Sequence, residues 1–246
     1  MARRARRPRK NAKPKHPARF VVRRILATLA ALAIAGVLAS VGAVALLRYV
    51  DPPVTAMMLQ QQIPVRSQAH VWVGRDAISQ AAAHAVIAAE DQRFLAHNGF
   101  DFQSIEKAVA AYRAGGRLRG ASTISQQVAK NLFLWPGRSF VRKGIEAYFT
   151  LLIESLWPKE RILEVYLNVA ELGEGVFGVE AAARKYFGIS ARELDDEQAA
   201  LLAAVLPNPK RYRVDRPSDF VEGRKRRILA QMRSLRADGH YRELEW

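Results

Sequence analysis

Gly120-Ala-Ser-Thr-Ile-Ser-Gln-Gln-Val-Ala-Lys130-Asn131 is the stretch from which the rest of the chain can be read. A glycine-led loop runs into Thr123, and Thr123 with Gln126 fits a capping box, so a helix is expected over Thr123–Leu132. Ile124, Val128 and Leu132 form its apolar face, while Gln127, Lys130 and Asn131, at i, i+3 and i+4, share another. Ser122 and Thr123, with free backbone N–H groups beside their hydroxyls, make a natural seat for an anion. Taken alone, the stretch reads as well as a capped surface helix. Directly after it, Leu132-Phe-Leu-Trp135-Pro reads as an exposed apolar loop. Core packing and insertion at a membrane interface both account for it. Insertion is expected, because a run of apolar side chains is costly to leave in water.

Helical periodicity continues on both sides. Upstream, Ala77–Gln92 places Ile78, Ala82, Ala85 and Ala89 at helical spacing, and Phe102–Ala114 aligns Ile105, Val109 and Tyr112 before Gly115-Gly116 stops it. Downstream, Ser139–Trp157 sets Ile145, Phe149, Leu152 and Leu156 on one side and ends before Pro158. Lys159–Asn168, Val179–Tyr186, Asp195–Leu206 and Ser218–Ala237 complete the helices. Only Gln68–Val73 alternates, with Val71 and Val73 on one face, and suggests one minor strand. The fold class is mainly α.

Two groups of residues could carry chemistry. Glu90 and Asp91 fall at the end of the Ala-rich helix, where a carboxylate meets the negative end of the helix dipole. Beside apolar neighbours its pKa would rise, as a general acid or base near neutrality requires. The second group is Lys130, Arg138, Arg142 and Lys143, four cations within fourteen residues, with Glu146 on the same helix side as Arg142 and Lys143. A surface ion pair explains the last three alone. All four together suit a diphosphate.

The 246 residues carry 39 Lys+Arg against 23 Asp+Glu, a formal charge of +16. Residues 1–24 hold eleven of the bases and no acid, leaving only +5 for the rest. A nucleic-acid binder would keep its excess in the folded part, so none is expected as a partner. The absence of cysteine excludes a disulfide scaffold, a Cys nucleophile and thiolate metal sites, and five scattered His make a zinc enzyme a poor reading. Ile25–Leu47 contains no charge over 23 residues. At helical rise these span about 35 Å, enough for a hydrocarbon core. The organisation expected is therefore a basic cytoplasmic tail (1–24), a transmembrane helix (25–47), a connector (48–75) and one globular domain (76–246). By the positive-inside rule the chain crosses a membrane once, with its N-terminus in the cytoplasm and everything after Arg48 on the other face. A cleavable signal peptide is the rival, with small residues at Ala39-Ser-Val41 and Val41-Gly-Ala43, but its apolar region would exceed the usual length.

In order along the chain, these segments resemble glycosyltransferase family 51, the peptidoglycan glycosyltransferases. Glu90-Asp-Gln-Arg-Phe94-Leu-Ala-His97-Asn-Gly99-Phe-Asp101 resembles the first motif and Gly120–Asn131 the second. Arg142-Lys-Gly-Ile-Glu146 is similar to the third, Lys159-Glu-Arg-Ile-Leu-Glu-Val-Tyr-Leu-Asn168 to the fourth, and Gly173-Glu-Gly-Val-Phe-Gly178 with Tyr186-Phe-Gly188 to the fifth. Ala121 stands where a second glycine is common, and Ser125 where threonine is; neither change touches a charged group. The resemblance implies a lysozyme-like fold with a large lobe and a smaller membrane-proximal lobe, held at the cytoplasmic (inner) membrane with the domain on the periplasmic or outer face. It implies polymerisation of lipid II and of the growing glycan-diphosphate-lipid, with inversion at MurNAc C1 and release of undecaprenyl diphosphate. Glu90 would be the general base on the acceptor hydroxyl, and Glu146 would orient the donor diphosphate or its metal. Lys130, Arg138 and Lys143 match cationic positions, and Ser122 and Gln127 match sugar- and phosphate-contacting ones. Asp91, Thr123, Gln126, Asn131 and Arg142 of the same motifs complete the substrate-binding candidates. No essential cofactor is implied; a divalent cation (Mg or Mn) at the lipid diphosphate stays open, as do cell-wall synthesis or division proteins as partners. There is no Lys-Thr-Gly, and Ser104-x-x-Lys107 lies inside the first domain, so no transpeptidase domain is expected. A muramidase using Glu90 as general acid is one rival, though it leaves the cations unexplained. A non-catalytic anchored scaffold is the other.

Overall fold

In the computed structural model of the chain, residues 17–64, 67, 69–116, 120, 122–137 and 139–237 are described. Most of the basic tail, Gln68 and Arg138 lie outside them. The chain divides into two units, residues 1–43 and 44–246. The first holds most of helix α1 (Pro17–Leu47). Its Leu26, Leu29, Leu32 and Leu38, which point to different sides, are all more than half exposed. The stretch Arg19–Leu47 is long and apolar enough to cross a membrane, and its composition equally fits a signal sequence.

The second unit begins within the last turn of α1, where unpaired carbonyls need donors. Val44 is fully buried and its carbonyl accepts from Trp157 Nε1 at 2.7 Å. The Leu47 carbonyl takes Arg161 Nη2 at 2.9 Å, and the same guanidinium reaches Asp51 and Glu164. In the connector beyond it, α2 (Ala56–Leu59) is capped by Thr55 and buries Met58. Asn168, fully buried, pairs its side-chain amide with both the N–H and the carbonyl of Val73, like one rung of a sheet.

Helices then appear close to where periodicity places them. They are α3 (Gln80–Glu90), α4 (Phe102–Arg113), α5 (Ile124–Phe133), α6 (Phe140–Leu156), α7 (Lys159–Val169), α8 (Val179–Phe187), α9 (Asp196–Val205) and α10 (Asp219–Ala237). Thr123 and Gln126 form the expected capping box on α5. The core is layered: α3 packs against α9 and α10, while α5 lies between α6 and α7 with α2 beside it. Helix α7 is buried on nearly every side, from Arg161 to Val169, and brings Tyr166 into the interior.

The sheet departs from the sequence reading. The minor strand expected within Gln68–Val73 is present but only two residues long, β1 (Ala69–His70); it pairs in parallel with β3 (Val176–Phe177), which pairs antiparallel with β2 (Glu171–Gly173), two strands the sequence did not suggest. These strands are too short to show alternation, and β1 finds its partner far away in the chain. Gly178 has φ +82°, and a Cβ there would stand 2.6 Å from the Asn168 carbonyl, so only glycine fits.

The loop Leu132–Trp135 also departs from expectation. Helix α5 runs through Phe133; Leu132 is nearly buried, Leu134 fully so, and Phe133 stacks on Phe149 with ring centroids 4.3 Å apart. Three of the four apolar residues pack inward, and only Trp135 is exposed. Phe133→Ser should therefore cost about 3 kcal/mol, the low end for a packed aromatic. Trp135→Ser should change stability by less than about 0.5 kcal/mol. Thermal melts of the two single variants check this, and equal losses would contradict it. Helix α4 buries no residue and exposes Phe102, Val109 and Tyr112. Phe140 and Val141 at the start of α6 are exposed as well.

Candidate active site

Helix α3 ends on Glu90, because Asp91 leaves the helical region with φ −158° and ψ 74°. The Glu90 carboxylate is held by two donors from distant elements. Gln127 Nε2 of α5 donates to Oε2 at 2.9 Å, and Arg224 Nη2 of α10 donates to Oε1 at 3.0 Å. Burial pushes the Glu90 carboxyl above the usual carboxylate range; Gln127, Arg224 and Lys130 oppose that shift without cancelling it, and Asp91 adds to it. The group is a carboxylate that holds a proton more readily than a surface glutamate does, with 16% of its side chain open to the outside.

Glu146 is buried among cations. Arg142 Nη1 lies 3.3 Å from one oxygen, and Lys143 Nζ pairs with the other. At 3% exposure Glu146 is no partner in a surface ion pair, so the bland reading of this i,i+3 and i,i+4 cluster falls away. Lys130 interacts electrostatically with both carboxylates. Burial draws its ammonium below the usual lysine range, Arg142 and Lys143 push the same way, and Glu146 and Glu90 oppose them. A desolvated cation between two carboxylates is a strong local field for an incoming anion.

The remaining candidates separate into two kinds. Asp91 is buried, accepting from His97 Nε2 at 2.9 Å and from the Ile124 N–H at 3.1 Å, so it fastens the end of α3 to the start of α5. Gly99 N–H donates to His97 Nδ1, which leaves Nε2 to donate to Asp91. Thr123 Oγ1 donates to the Gly99 carbonyl at 2.7 Å, and Gln126 Oε1 accepts the Thr123 N–H. Asn131 is buried at 7% exposure. These side chains shape the site from within. Ser122 is exposed, and Gln127, Lys130, Arg142 and Lys143 are brought together with Glu90 and Glu146. Arg138 lies outside the described residues.

Two contributors escape sequence reasoning. Arg224 stands in Gly223-Arg-Lys-Arg-Arg227, a run that reads as a solvated helix face, 134 residues from its partner Glu90. Tyr166, fully buried on α7, reaches Gln127 with its hydroxyl. No local signal marks either.

No three His, Asp or Glu side chains converge as a metal cage among the described residues. Glu146, the carboxylate nearest the cations, is already matched by Arg142 and Lys143, so this arrangement is a poor cation site.

Residues 56–233, from α2 to late in α10, match the family described as Transglycosylase. The chain belongs to that family. It is 57% identical over 196 residues to the biosynthetic peptidoglycan transglycosylase of Bdellovibrio bacteriovorus, covering 77% of this chain and 78% of that protein. Identity is 50% over 218 residues to the protein of the same name from Shewanella oneidensis, covering 87% of this chain and 94% of that one. The corresponding protein of Caulobacter vibrioides is 48% identical over 221 residues, 90% of this chain and 96% of its own length. The match encloses both carboxylates, the cation cluster, and the helix that delivers Arg224.

Proposed function

We propose that this chain is a peptidoglycan glycosyltransferase that polymerises lipid II into glycan strands for the cell wall. One observation carries the reading: Glu90, a half-buried carboxylate held by Gln127 and Arg224, lies within electrostatic reach of Lys130, which also faces the Glu146 cluster. That is a base next to a diphosphate cradle. Glu90 takes the proton of the acceptor GlcNAc 4-hydroxyl while its oxygen forms the bond to C1 of the donor MurNAc. The bond from C1 to the diphosphate breaks with inversion, and its electron pair leaves on the undecaprenyl diphosphate. Lys130, Arg142 and Lys143 hold the charge that develops there, and Glu146 keeps the last two in place. These cations supply the electrostatic role that a divalent ion would otherwise fill.

The lipid end of such a substrate sits at a membrane surface. Two features support that placement: the apolar span of α1, and the exposed Phe102, Val109 and Tyr112 of α4, which suit a small membrane-proximal lobe. In this reading α1 anchors the chain in the inner membrane, with residues 1–24 in the cytoplasm and the catalytic domain outside.

Incubating the full chain in detergent or bilayers with lipid II, with and without a chelator, tests the function. Growth of glycan polymer in both cases is the expected result. Shortening of purified sacculi without polymer would make it a muramidase, and inertness towards both would leave a scaffold. Polymerisation lost on chelation would overturn the metal-independent mechanism alone.

A further inference from the structure

Tyr166 is 1% exposed, and its hydroxyl lies 3.2 Å from Gln127 Oε1, the only acceptor it has among the described residues. The other end of the same amide, Nε2, donates to Glu90 Oε2 at 2.9 Å. These two contacts constrain each other. An ionised carboxylate can only accept, so the Gln127 NH2 must face Glu90 and its carbonyl must face Tyr166, whose hydroxyl then donates. A flipped amide would set its carbonyl against the carboxylate and leave the buried tyrosine proton without an acceptor, at a cost typical of an unsatisfied buried donor.

We propose that Tyr166 is a positioning residue for the general base: its hydroxyl locks the Gln127 amide in the one orientation that donates to Glu90. The inference rests on the reading of Glu90 as that base. Burial, with the nearby Glu90 charge, pushes the Tyr166 phenol well above its ordinary range, so it stays a donor at every pH at which the enzyme works. The charged groups facing Glu90 from its surroundings are Arg224 on α10, Lys130 on α5 and Asp91 beside it, and Tyr166→Phe changes none of them.

In Tyr166→Phe the ring and its packing remain, but the amide is free to turn. Its carbonyl can then accept from protonated Glu90, which stabilises the inactive form. The acid limb of the pH–rate profile should move up by about one pH unit, with about tenfold lower rate on the acid side and recovery towards wild type at higher pH. A purely structural tyrosine would lower the melting temperature and leave the limb in place, and that result overturns the proposal. A double-mutant cycle adds a second readout: in a Gln127→Leu background, Tyr166→Phe should shift the limb no further. A further full shift there would place the effect elsewhere. If Tyr166→Phe does not fold, a fluorotyrosine at this position carries the test, because its stronger donor must move the limb down, and an unmoved limb overturns the idea. Glu90→Gln separates the two levels. Polymerisation retained in Glu90→Gln removes the base itself, whereas an inactive Glu90→Gln beside an unshifted Tyr166→Phe removes only the positioning role.

Discussion

Glu90→Gln should lower polymerisation of lipid II by about 10²–10⁴-fold, the range for loss of a general base, in a protein that remains folded. Glutamine keeps the shape and can still accept from Arg224, but it cannot take a proton. Stability should not fall, and the sign comes from the direction of the shift. The folded state raises the Glu90 pKa, so it holds the proton more tightly than the unfolded chain does. Stability therefore drops as pH rises from the unfolded pKa through the folded one, and at neutral pH the ionised group costs stability. Removing that charge offsets the loss of the Gln127 hydrogen bond to Oε2, so the melting temperature at neutral pH should stay close to wild type. A variant that retains more than half of wild-type activity would end the assignment. One that is inactive because it is unfolded would contradict the stability argument.

Lys130→Met should produce the second large effect. In the proposed reaction the ammonium acts on charge that grows as the diphosphate leaves, so kcat should fall by about 10²–10³-fold, with a smaller change in KM. Its charge also holds the Glu90 pKa down. Without it, the acid limb of the pH–rate profile should move to higher pH. The stability sign again comes from the shift. Folding lowers the Lys130 pKa, so the unfolded chain binds its proton more tightly, and keeping it charged at neutral pH costs stability. Methionine fills similar volume without that cost, so the melting temperature should hold or rise. Steady-state kinetics across pH, with a thermal melt, checks all three. An unchanged kcat would move the diphosphate away from this lysine.

Both variants probe a trade common at functional sites, where groups that destabilise the fold are kept for their chemistry. The stabilising contacts lie one layer out. The Asp91 carboxylate, held by His97 and the Ile124 N–H, ties the two helices that carry Glu90 and Gln127. Arg161 closes the carbonyls of Leu47 and Val50 onto α7.

Helical content, to within a few residues at each end, and the identity of the charged groups were legible in the amino-acid order alone. Capping signals such as Thr123 with Gln126, the stop before Pro158, and apolar spacing are local, and local physics decides helices. The pairing of Arg142 and Lys143 with Glu146 was legible for the same reason, since all three lie within two turns. Burial on the second face of α5 came instead from tertiary packing. Contact with α2, α6 and α7 turned Gln126 and Asn131 inward and left Gln127 and Lys130 towards Glu90. It likewise drew Leu132 and Leu134 out of the expected exposed loop, while α4 keeps Phe102, Val109 and Tyr112 in solvent. The pairing of β1 with β3, Arg224 on Glu90 and Tyr166 on Gln127 join residues that are far apart in the chain. A donor's place beside a buried carboxylate is set by how helices cross, and no pattern within one helix encodes that crossing.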